Sequence, residues 1–405
     1  MRHRSAVVVS IAVIGALSLS ACGSRGEKNS GNGGDSASTT VVIGVDAPLT
    51  GDLSALGLGI RNSVDLAIKK ANETNEVPGV KFEIKALDDT GKPAPGQQNA
   101  TQLVGDSKVL GVVGPLNSSV AQSMQQIFDD KNLVEVSPAN TGVALSQGEK
   151  WASGEKKRPF KSYFRTATTD AVQGPFAAQF LYNDAKKTKV FLIDDQKTYG
   201  AGLAGTFKGE FTKLGGTLVG EEHVNPDDRD FAAIATKVKS SGAEAVYYGG
   251  EYPAAGPLSL QLKEAGATIP LMGGDGIQSG DFIKLNPKSQ GDYATAVGLP
   301  VESLDTAKKF IADYKTAGYK DAYETYGGYS YDSAWAVIQG VKAVKASGKP
   351  LTREAVRDAV QNVSFDGVTG KVSFDEFGDT TNKQLTVYTV KDGKWAVEKS
   401  GTFKG

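Results

Sequence analysis

The sequence contains few of the residues that bind metals or act as catalytic nucleophiles. Its 405 residues include one cysteine, Cys22, and two histidines, His3 and His223. One cysteine excludes an internal disulfide, and so few histidines argue against a zinc site. Charge of one sign is not in excess either, because 45 Lys and Arg face 46 Asp and Glu. Such a balance is not typical of a nucleic-acid-binding protein.

Three short matches to catalytic or cofactor motifs fail in their context. His223 follows a predicted strand, with no serine in a nucleophile elbow to pair with it. Residues 153–156 have the Ser-x-x-Lys spacing but lie in a polar stretch without partner motifs. Residues 200–205 match Gly-x-Gly-x-x-Gly, yet Asp194 and Asp195 precede them, and two carboxylates would repel a pyrophosphate. The sequence therefore predicts no enzyme, no metal and no cofactor.

The N-terminus predicts export and a lipid anchor. A basic start leads into an uncharged run over residues 5–20, which is too short to span a bilayer comfortably. We interpret residues 1–21 as a signal peptide, because Leu-Ser-Ala-Cys at residues 19–22 resembles the bacterial lipobox. Cys22 would become the lipid-modified N-terminus, and residues 22–40, rich in Gly and Ser, would form a flexible tether. The alternative is a chance cysteine after an ordinary signal peptide. We expect an extracytoplasmic protein, lipid-anchored to the bacterial cell membrane.

Strand-like and helix-like segments alternate along most of the remaining chain. Near-continuous Val, Ile and Leu runs predict strands buried on both faces, at residues 41–45, 81–86, 110–113, 133–136, 189–193, 217–220, 245–248, 269–272 and 294–297. Apolar stripes predict helices between and after them, at residues 57–71, 118–129, 201–214, 231–240, 304–317 and 329–346. Three further β-type segments follow at residues 370–374, 385–390 and 394–397. This alternation predicts a doubly wound α/β fold.

The length of the body predicts two lobes. Residues 41–405 are too many for one compact core. The alternation pauses over a polar stretch at residues 150–169, and we place the first crossing of the chain from one lobe to the other there. We place a second crossing near residues 297–301. We predict one lobe from residues 41–166 plus 298–370. The other would contain residues 167–297 plus 371–405.

Polar loops that follow predicted strands suit an amino-acid zwitterion. Ser118 and Ser119 would sit at a helix N-terminus, where hydroxyls and free backbone N–H groups favour a carboxylate. Thr141 and the carbonyl of Ala139 follow the next strand, and Asp275 follows a strand of the other half. Ligands of open α/β sheets lie beyond the carboxyl ends of the strands, where these loops are expected. Each could also be a simple cap or turn, but their convergence favours a ligand site.

At these loops the sequence resembles the leucine/isoleucine/valine-binding proteins of bacterial ABC importers. The similarity covers nearly the whole body and is carried by short segments in a fixed order, at residues 47–51, 87–89, 114–119, 137–139, 165–166, 199–200, 246–250 and 273–276. The resemblance implies the class I periplasmic-binding-protein fold. Two doubly wound parallel-sheet lobes would be joined by a three-segment hinge and would close on a ligand in the cleft.

The resemblance also implies roles for individual residues. Ser118 and Thr141 would bind the α-carboxylate of the ligand. The carbonyl of Ala139 and the carboxylate of Asp275 would hold its ammonium group. The positions that match or lie near the side-chain pocket are Leu56, Leu116, Tyr199 and Tyr326.

Three positions depart from the family pattern. Gly91 and Asn117 stand where some relatives have paired cysteines. Asp275 stands where the acid is often glutamate, and its shorter reach should move the ammonium or admit a water. Glu251 stands where an aromatic residue often closes the pocket. Glu251 either points to solvent, pairs with a nearby lysine, or faces the ligand.

The resulting functional prediction is a solute-binding lipoprotein of an ABC importer. It would capture a hydrophobic or branched-chain amino acid by hinge closure and dock on the membrane permease subunits. The alternatives are a binder of another amino acid or of an amide or urea-like solute, and a tethered sensory receptor ectodomain. An exported enzyme is a third class, disfavoured because no catalytic constellation can be assembled.

Overall fold

The computed structural model describes residues 38–403 of the chain. Cys22, the predicted signal peptide and nearly all of the predicted tether lie outside these residues. Within residues 38–403, no helix combines the length and apolar character needed to cross a membrane.

A five-stranded parallel sheet forms from the first part of the chain. Its strands are β1 (Thr39–Ala47), β2 (Val80–Asp88), β3 (Val109–Val113), β4 (Val134–Ser137) and β5 (Tyr163–Arg165). Their order across the sheet is β2-β1-β3-β4-β5, and every neighbouring pair is parallel. Strands β3, β4 and β5 are buried at every position, as expected for a sheet covered on both faces.

The second sheet has seven strands and mixed direction. It contains β6 (Lys189–Asp194), β7 (Thr217–His223), β8 (Ala245–Gly249), β9 (Leu271–Gly273), β10 (Tyr293–Val297), β13 (Gln384–Lys391) and β14 (Lys394–Thr402). The order is β14-β13-β10-β9-β8-β6-β7. Strands β6 to β10 are parallel to one another, and β13 pairs antiparallel with both of its neighbours, β10 and β14. A separate hairpin pairs β11 (Ser364–Gly367) with β12 (Gly370–Ser373).

Helices cover both sheets. They are α1 (Ser54–Glu73), α2 (Pro93–Gly105), α3 (Ser118–Asp129), α4 (Ala144–Gln147), α5 (Asp170–Gln179), α6 (Thr198–Lys213), α7 (Ala232–Ser241), α8 (Tyr252–Glu264), α9 (Gly280–Leu285), α10 (Lys308–Ala317), α11 (Gly327–Ala346) and α12 (Arg353–Val360). Although α11 and α12 come late in the sequence, they pack on β3 and β4 of the first sheet, and α11 also packs on α1. The chain therefore returns to the first lobe after building most of the second.

The structure confirms the predicted two-lobe α/β fold. Each of the predicted strands and helices is present, with ends that differ by a few residues. Helix α10 begins at Lys308, not at the predicted residue 304, because two short 3-10 turns precede it. The polar stretch at residues 150–169, where the predicted alternation pauses, contains β5. The exact bounds of the lobes stay a prediction.

The rejected glycine motif lies inside a helix. Helix α6 begins at Thr198, so Gly200 is already in its first turn. A Cβ at Gly200 would lie 2.4 Å from the carbonyl oxygen of Gly249 at the end of β8. Gly200 thus allows the start of α6 to pack against the end of β8, which is a structural role and not a phosphate cradle.

Candidate functional site

The carboxyl ends of strands from both sheets face one another across a cleft. Ser118 is the first residue of α3, and Thr141 lies in the loop after β4. From the second sheet, Asp275 follows β9 and Glu251 precedes α8. Several side-chain hydrogen bonds cross the cleft, among them those from Asn117 to Glu251 and from Tyr326 to Asp275. The loops predicted from the sequence to form a site therefore do converge.

The carboxylate of Asp275 accepts three side-chain hydrogen bonds in the cleft. Its Oδ1 accepts hydrogen bonds from Tyr199 Oη at 2.8 Å and Gln173 Nε2 at 3.0 Å. Its Oδ2 accepts one from Tyr326 Oη at 2.9 Å. The side chain is buried, with 1% of the residue exposed. Burial raises the pKa of Asp275, although these three donors act against the rise.

A second buried acid lies close to Asp275. Asp170, the first residue of α5, donates its backbone N–H to the carbonyl oxygen of Thr141 at 2.9 Å. Burial, and next the charge of Asp275, raise the pKa of Asp170 to about 8. Asp170 Oδ2 and the Thr141 hydroxyl make no hydrogen bond of normal geometry among residues 38–403, but the hydroxyl lies near enough to Asp170 to act against the rise of its pKa. Two acids and a hydroxyl therefore meet where the sequence predicted the charged ends of a zwitterion.

The loops that carry Ser118 and Ala139 are held by local hydrogen bonds. Ser118 Oγ accepts from the backbone N–H of Gly142 at 3.3 Å. The backbone N–H of Ala139 donates to Ser137 Oγ at 3.2 Å. Ser118 and Ala139 are both buried. Their positions are thus fixed by the ends of α3 and β4 and not by solvent-exposed loops.

Arg165 fixes the loop that carries Thr141. Its guanidinium donates to the carbonyl oxygens of Asn140 at 3.1 Å and Gly142 at 2.8 Å, on either side of Thr141. The same group pairs with Asp379, Nε to Oδ1 at 2.6 Å, and both side chains are 0% exposed. A buried ion pair thus sets the backbone of the predicted carboxylate seat.

The predicted side-chain pocket is a small cavity between the two sheets. Its walls include seven of the nine predicted ligand-binding residues, namely Leu56, Leu116, Ser118, Ala139, Tyr199, Glu251 and Tyr326. The other two, Thr141 and Asp275, do not line the cavity, although Asp275 is hydrogen-bonded to Tyr199 and Tyr326, which do. Asn117 and Gly276 also line the cavity. The structure brings the predicted set together, and their binding roles remain predictions.

Glu251 faces the cavity and also pairs with a lysine. Its Oε2 accepts from Lys197 Nζ at 2.5 Å, and its Oε1 accepts from Asn117 Nδ2. Burial alone would lower the pKa of Lys197, but the charges of Glu251 and Asp195 raise it above the ordinary value. Glu251 is 9% exposed, which disfavours the alternative that it points to solvent. The pairing with a lysine is observed, and contact between Glu251 and a ligand stays a prediction.

Four residues at the site were not predicted from the sequence to take part in it. Gln173 and Asp170 lie next to Asp275, while Lys197 and Asn117 contact Glu251. In the sequence, Asn117 was marked only as a departure from the family pattern, and the other three were given no role. Asn117 and Lys197 lie in loops that follow β3 and β6, and this position was the available signal, whereas Asp170 and Gln173 lie in α5.

No group of three or more His, Cys, Asp or Glu side chains within residues 38–403 is arranged to hold a metal ion. His223 lies at the end of β7, where its Nδ1 is 3.0 Å from Asp194 Oδ1, and its side chain is largely exposed. The sequence interpretation of His223 as a strand-end residue agrees with this position.

Residues 40–394 match the family described as periplasmic binding protein. The chain belongs to the periplasmic binding protein family. Members of this family bind solutes outside the cytoplasm and do not transform them, so the chain is a solute-binding protein and not an enzyme. The family works with the permease subunits of ABC transporters.

Known relatives of this periplasmic binding protein confirm the resemblance found in the sequence. A Leu/Ile/Val-binding protein homolog of Brucella suis is 30% identical over 371 residues, which cover 91% of this chain and 94% of the relative. The leucine-binding protein LivK of Thermotoga maritima has a similar structure, with a TM-score of 0.78, 25% identity, and coverage of 89% of this chain and 98% of that one. The branched-chain amino acid transporter substrate-binding protein LivJ of Streptococcus pneumoniae, in complex with isoleucine, has a TM-score of 0.79 and 26% identity, over 90% of this chain and 100% of that one.

Proposed function

We propose that this protein captures an α-amino acid in the cleft and delivers it to an ABC permease. The observation that supports this most directly is Asp275, a buried carboxylate at the junction of the two sheets. A buried acid is costly unless a positive group or several donors compensate it. The ammonium group of an amino acid would supply the positive charge that burial of Asp275 and Asp170 favours.

The carboxylate of the same ligand would bind on the other side of the cleft. Ser118 stands at the N-terminus of α3, where backbone N–H groups and the helix dipole favour an anion. Within the described part of the chain the Thr141 hydroxyl makes no hydrogen bond of normal geometry, and it would donate to the ligand carboxylate in place of the nearby Asp170. Because the ammonium partner follows β9 and the carboxylate partners follow β3 and β4, one zwitterion would bridge the two sheets. Hinge closure would complete the site.

The relatives' names favour a hydrophobic or branched-chain amino acid, and Leu56 and Leu116 supply apolar contacts in the cavity. A second candidate is an amino acid with a polar side chain. It is favoured by Glu251, whose carboxylate lines the same cavity. An apolar side chain at that point would take a charged group out of water without replacing its hydrogen bonds.

The amino-acid proposal is tested by thermal unfolding and calorimetry of the purified full-length protein with the twenty amino acids. A true ligand at 100 times its Kd adds about 2.7 kcal/mol to the free energy of unfolding. Asp275→Asn should then weaken that ligand by about 2–5 kcal/mol, or about 30-fold to several thousandfold. The matched control is Asp305→Asn, since the Asp305 side chain is 91% exposed on a surface turn. If no amino acid stabilises the wild type, the ligand class is wrong.

We also propose that Cys22 carries a lipid anchor, because it completes a lipobox after an uncharged run. Cys22→Ser should release the protein from the membrane fraction of its native host. The same fractionation of the wild type is the reference. Unchanged association of Cys22→Ser with membranes would contradict the anchor without affecting the ligand proposal.

A further inference from the structure

A second, larger cavity adjoins the predicted side-chain pocket. Its volume is about 530 Å³, and loops of both sheets line it. Asp52 and Lys92 lie on the side of the first sheet, and Asp195 and Lys197 on the side of the second. Glu251 lines both cavities, so its carboxylate stands at the boundary between them. A ligand side chain that fills the inner cavity would therefore end beside Glu251.

Two buried polar groups at this boundary lack partners. Asp195 is 2% exposed, and its Oδ2 has no hydrogen-bond partner in residues 38–403. Tyr248 is fully buried, and its hydroxyl likewise has no partner in the same part of the chain. Both residues line the larger cavity. Unpaired buried atoms of this kind are costly in a folded protein, and a bound group that donates hydrogen bonds would satisfy the acid.

At the boundary the acidic side chains outnumber the cationic ones by one. Asp195 and Glu251 lie near one partly buried cation, Lys197, whose side chain is 23% exposed, and the trio has a formal charge of −1 when both acids are ionised. Burial, and next the charge of Glu251, raise the pKa of Asp195 to about 7, and a neighbouring positive group would offset both causes.

The other charged groups that line the larger cavity are exposed. Asp52 pairs with Arg229, Oδ2 to Nη2 at 2.6 Å, Asp227 lies near enough to Lys197 to raise the pKa of that lysine, and Lys92 is the remaining cation. The lining has a formal charge of −1, and its two buried acids are Asp195 and Glu251. A buried negative excess disfavours an apolar side chain at this point more than it would disfavour a cationic one.

We propose that the Asp195–Glu251 boundary is a subsite for the positively charged end of the ligand's side chain, an amine or a guanidinium. The inference rests on the proposed amino-acid function and narrows the ligand to basic amino acids. The α-amino and α-carboxylate groups would bind near Asp275 and Thr141. The aliphatic part of the side chain would lie against Leu116 and Tyr199, and its charged end would reach Glu251 and Asp195.

The test compares L-lysine with L-norleucine on the purified full-length protein by calorimetry. The two amino acids share the same four-carbon side chain and differ in the terminal amine. We expect lysine to bind at least about tenfold more tightly, since a hydrogen bond between charged groups in a buried site is worth at least that factor. Norleucine binding that equals or exceeds lysine binding would overturn the subsite while supporting the amino-acid proposal. If neither amino acid nor any other binds, both proposals fail.

Variants test whether the preference for lysine over norleucine depends on Glu251 and Asp195. Glu251→Gln should abolish the preference for lysine over norleucine, and Asp195→Asn should reduce it. The matched control is Glu264→Gln, because Glu264 lies at the far end of the same helix α8 with half of its side chain exposed. A purely structural role of Glu251 in holding Asn117 would weaken both ligands equally. An unchanged ratio of the two affinities in Glu251→Gln would therefore refute the subsite, and the wild-type comparison decides the matter if that variant does not fold.

Discussion

Replacing Arg165 by methionine tests whether one buried ion pair supports both the fold and the site. Arg165 ends β5 and donates to Asp379 Oδ1 at 2.6 Å and to two loop carbonyl oxygens beside Thr141. Methionine fills similar space but removes the charge and all of these donors. Asp379 would keep the hydrogen bond from Gln147 Nε2 at 2.8 Å and would lose its buried countercharge.

The expected loss of stability is large. Breaking a buried ion pair by removing one partner costs about 3–5 kcal/mol, because an uncompensated charge stays buried. Replacing both partners by apolar residues, as in Arg165→Met with Asp379→Leu, should cost less than the sum of the single changes. Because the guanidinium also fixes the carbonyls of Asn140 and Gly142, ligand affinity should fall in Arg165→Met as well.

The pH dependence of this effect has a definite sign. Burial alone would raise the pKa of Asp379, but the charge of Arg165 and hydrogen bonds hold it below the ordinary value. A carboxyl with a lowered folded-state pKa stabilises the fold above its unfolded pKa of about 3.9. That stabilisation is lost as the pH falls through the folded-state pKa. The difference between wild type and Arg165→Met should therefore be full at pH 7 and shrink in strong acid.

The measurement is urea unfolding followed by circular dichroism on wild type, both single variants and the double variant. A loss below about 1 kcal/mol in Arg165→Met would refute the reasoning. So would single-variant losses that add within about 0.5 kcal/mol in the double variant, since independent sites behave in that way.

Three further changes have distinct expected outcomes. Thr141→Ala should weaken ligand binding about tenfold or more but should change the stability of the ligand-free protein by less than about 1 kcal/mol, because within residues 38–403 the hydroxyl makes no hydrogen bond of normal geometry and only lies near Asp170. A parallel loss of affinity and stability, in calorimetry and unfolding, would contradict this. Asp89→Asn should raise the free energy of unfolding at pH 7.5, because burial raises the pKa of Asp89 to about 6 and its charged form is therefore destabilising. The gain should shrink as the pH falls from 6 towards 4, where Asp89 of the folded wild type is already protonated; an equal gain at pH 7.5 and pH 4 would be inconsistent with this cause. Tyr326→Phe removes the hydroxyl that donates to Asp275 and so joins the two lobes, and it should weaken ligand binding about tenfold in calorimetry. Unchanged affinity would show that the hydrogen bond from Tyr326 to Asp275 is not needed for closure.

The elements that could be predicted from the sequence are those whose signal is local. Strand β3 has five consecutive buried residues, and this pattern is visible as an unbroken apolar run. Strand β5 was missed because it has three residues and ends in Arg165, a residue type that is rarely buried. Its burial depends on Asp379, which lies 214 residues later in the sequence. No local pattern reveals such a pair.

The same distinction applies to the site. The loops after β3, β4 and β9 could be predicted because parallel sheets place their functional loops at one edge, and because the family resemblance marked the residues. The partners of Glu251 could not be predicted in this way. Asn117 is 134 residues from Glu251, and Lys197 is 54 residues from it. The contact with Asn117 depends on how the two lobes face each other, which the sequence of either lobe alone does not determine. The contact with Lys197 joins the loops after β6 and β8, two neighbouring strands of the second sheet that are far apart in the sequence.

Buried polar atoms without hydrogen-bond partners support both the amino-acid proposal and the proposed subsite for a basic side chain. Thr141 Oγ1 and Asp170 Oδ2 lie at the predicted zwitterion seat, and Asp195 Oδ2 lies at the side-chain boundary. Each such buried atom costs about 1–3 kcal/mol when nothing in the protein satisfies it. A solute with one carboxylate, one ammonium and a second positive group would satisfy all three positions at once. A leucine would satisfy only the first two, so the difference in affinity between a basic and an apolar amino acid measures what the boundary contributes.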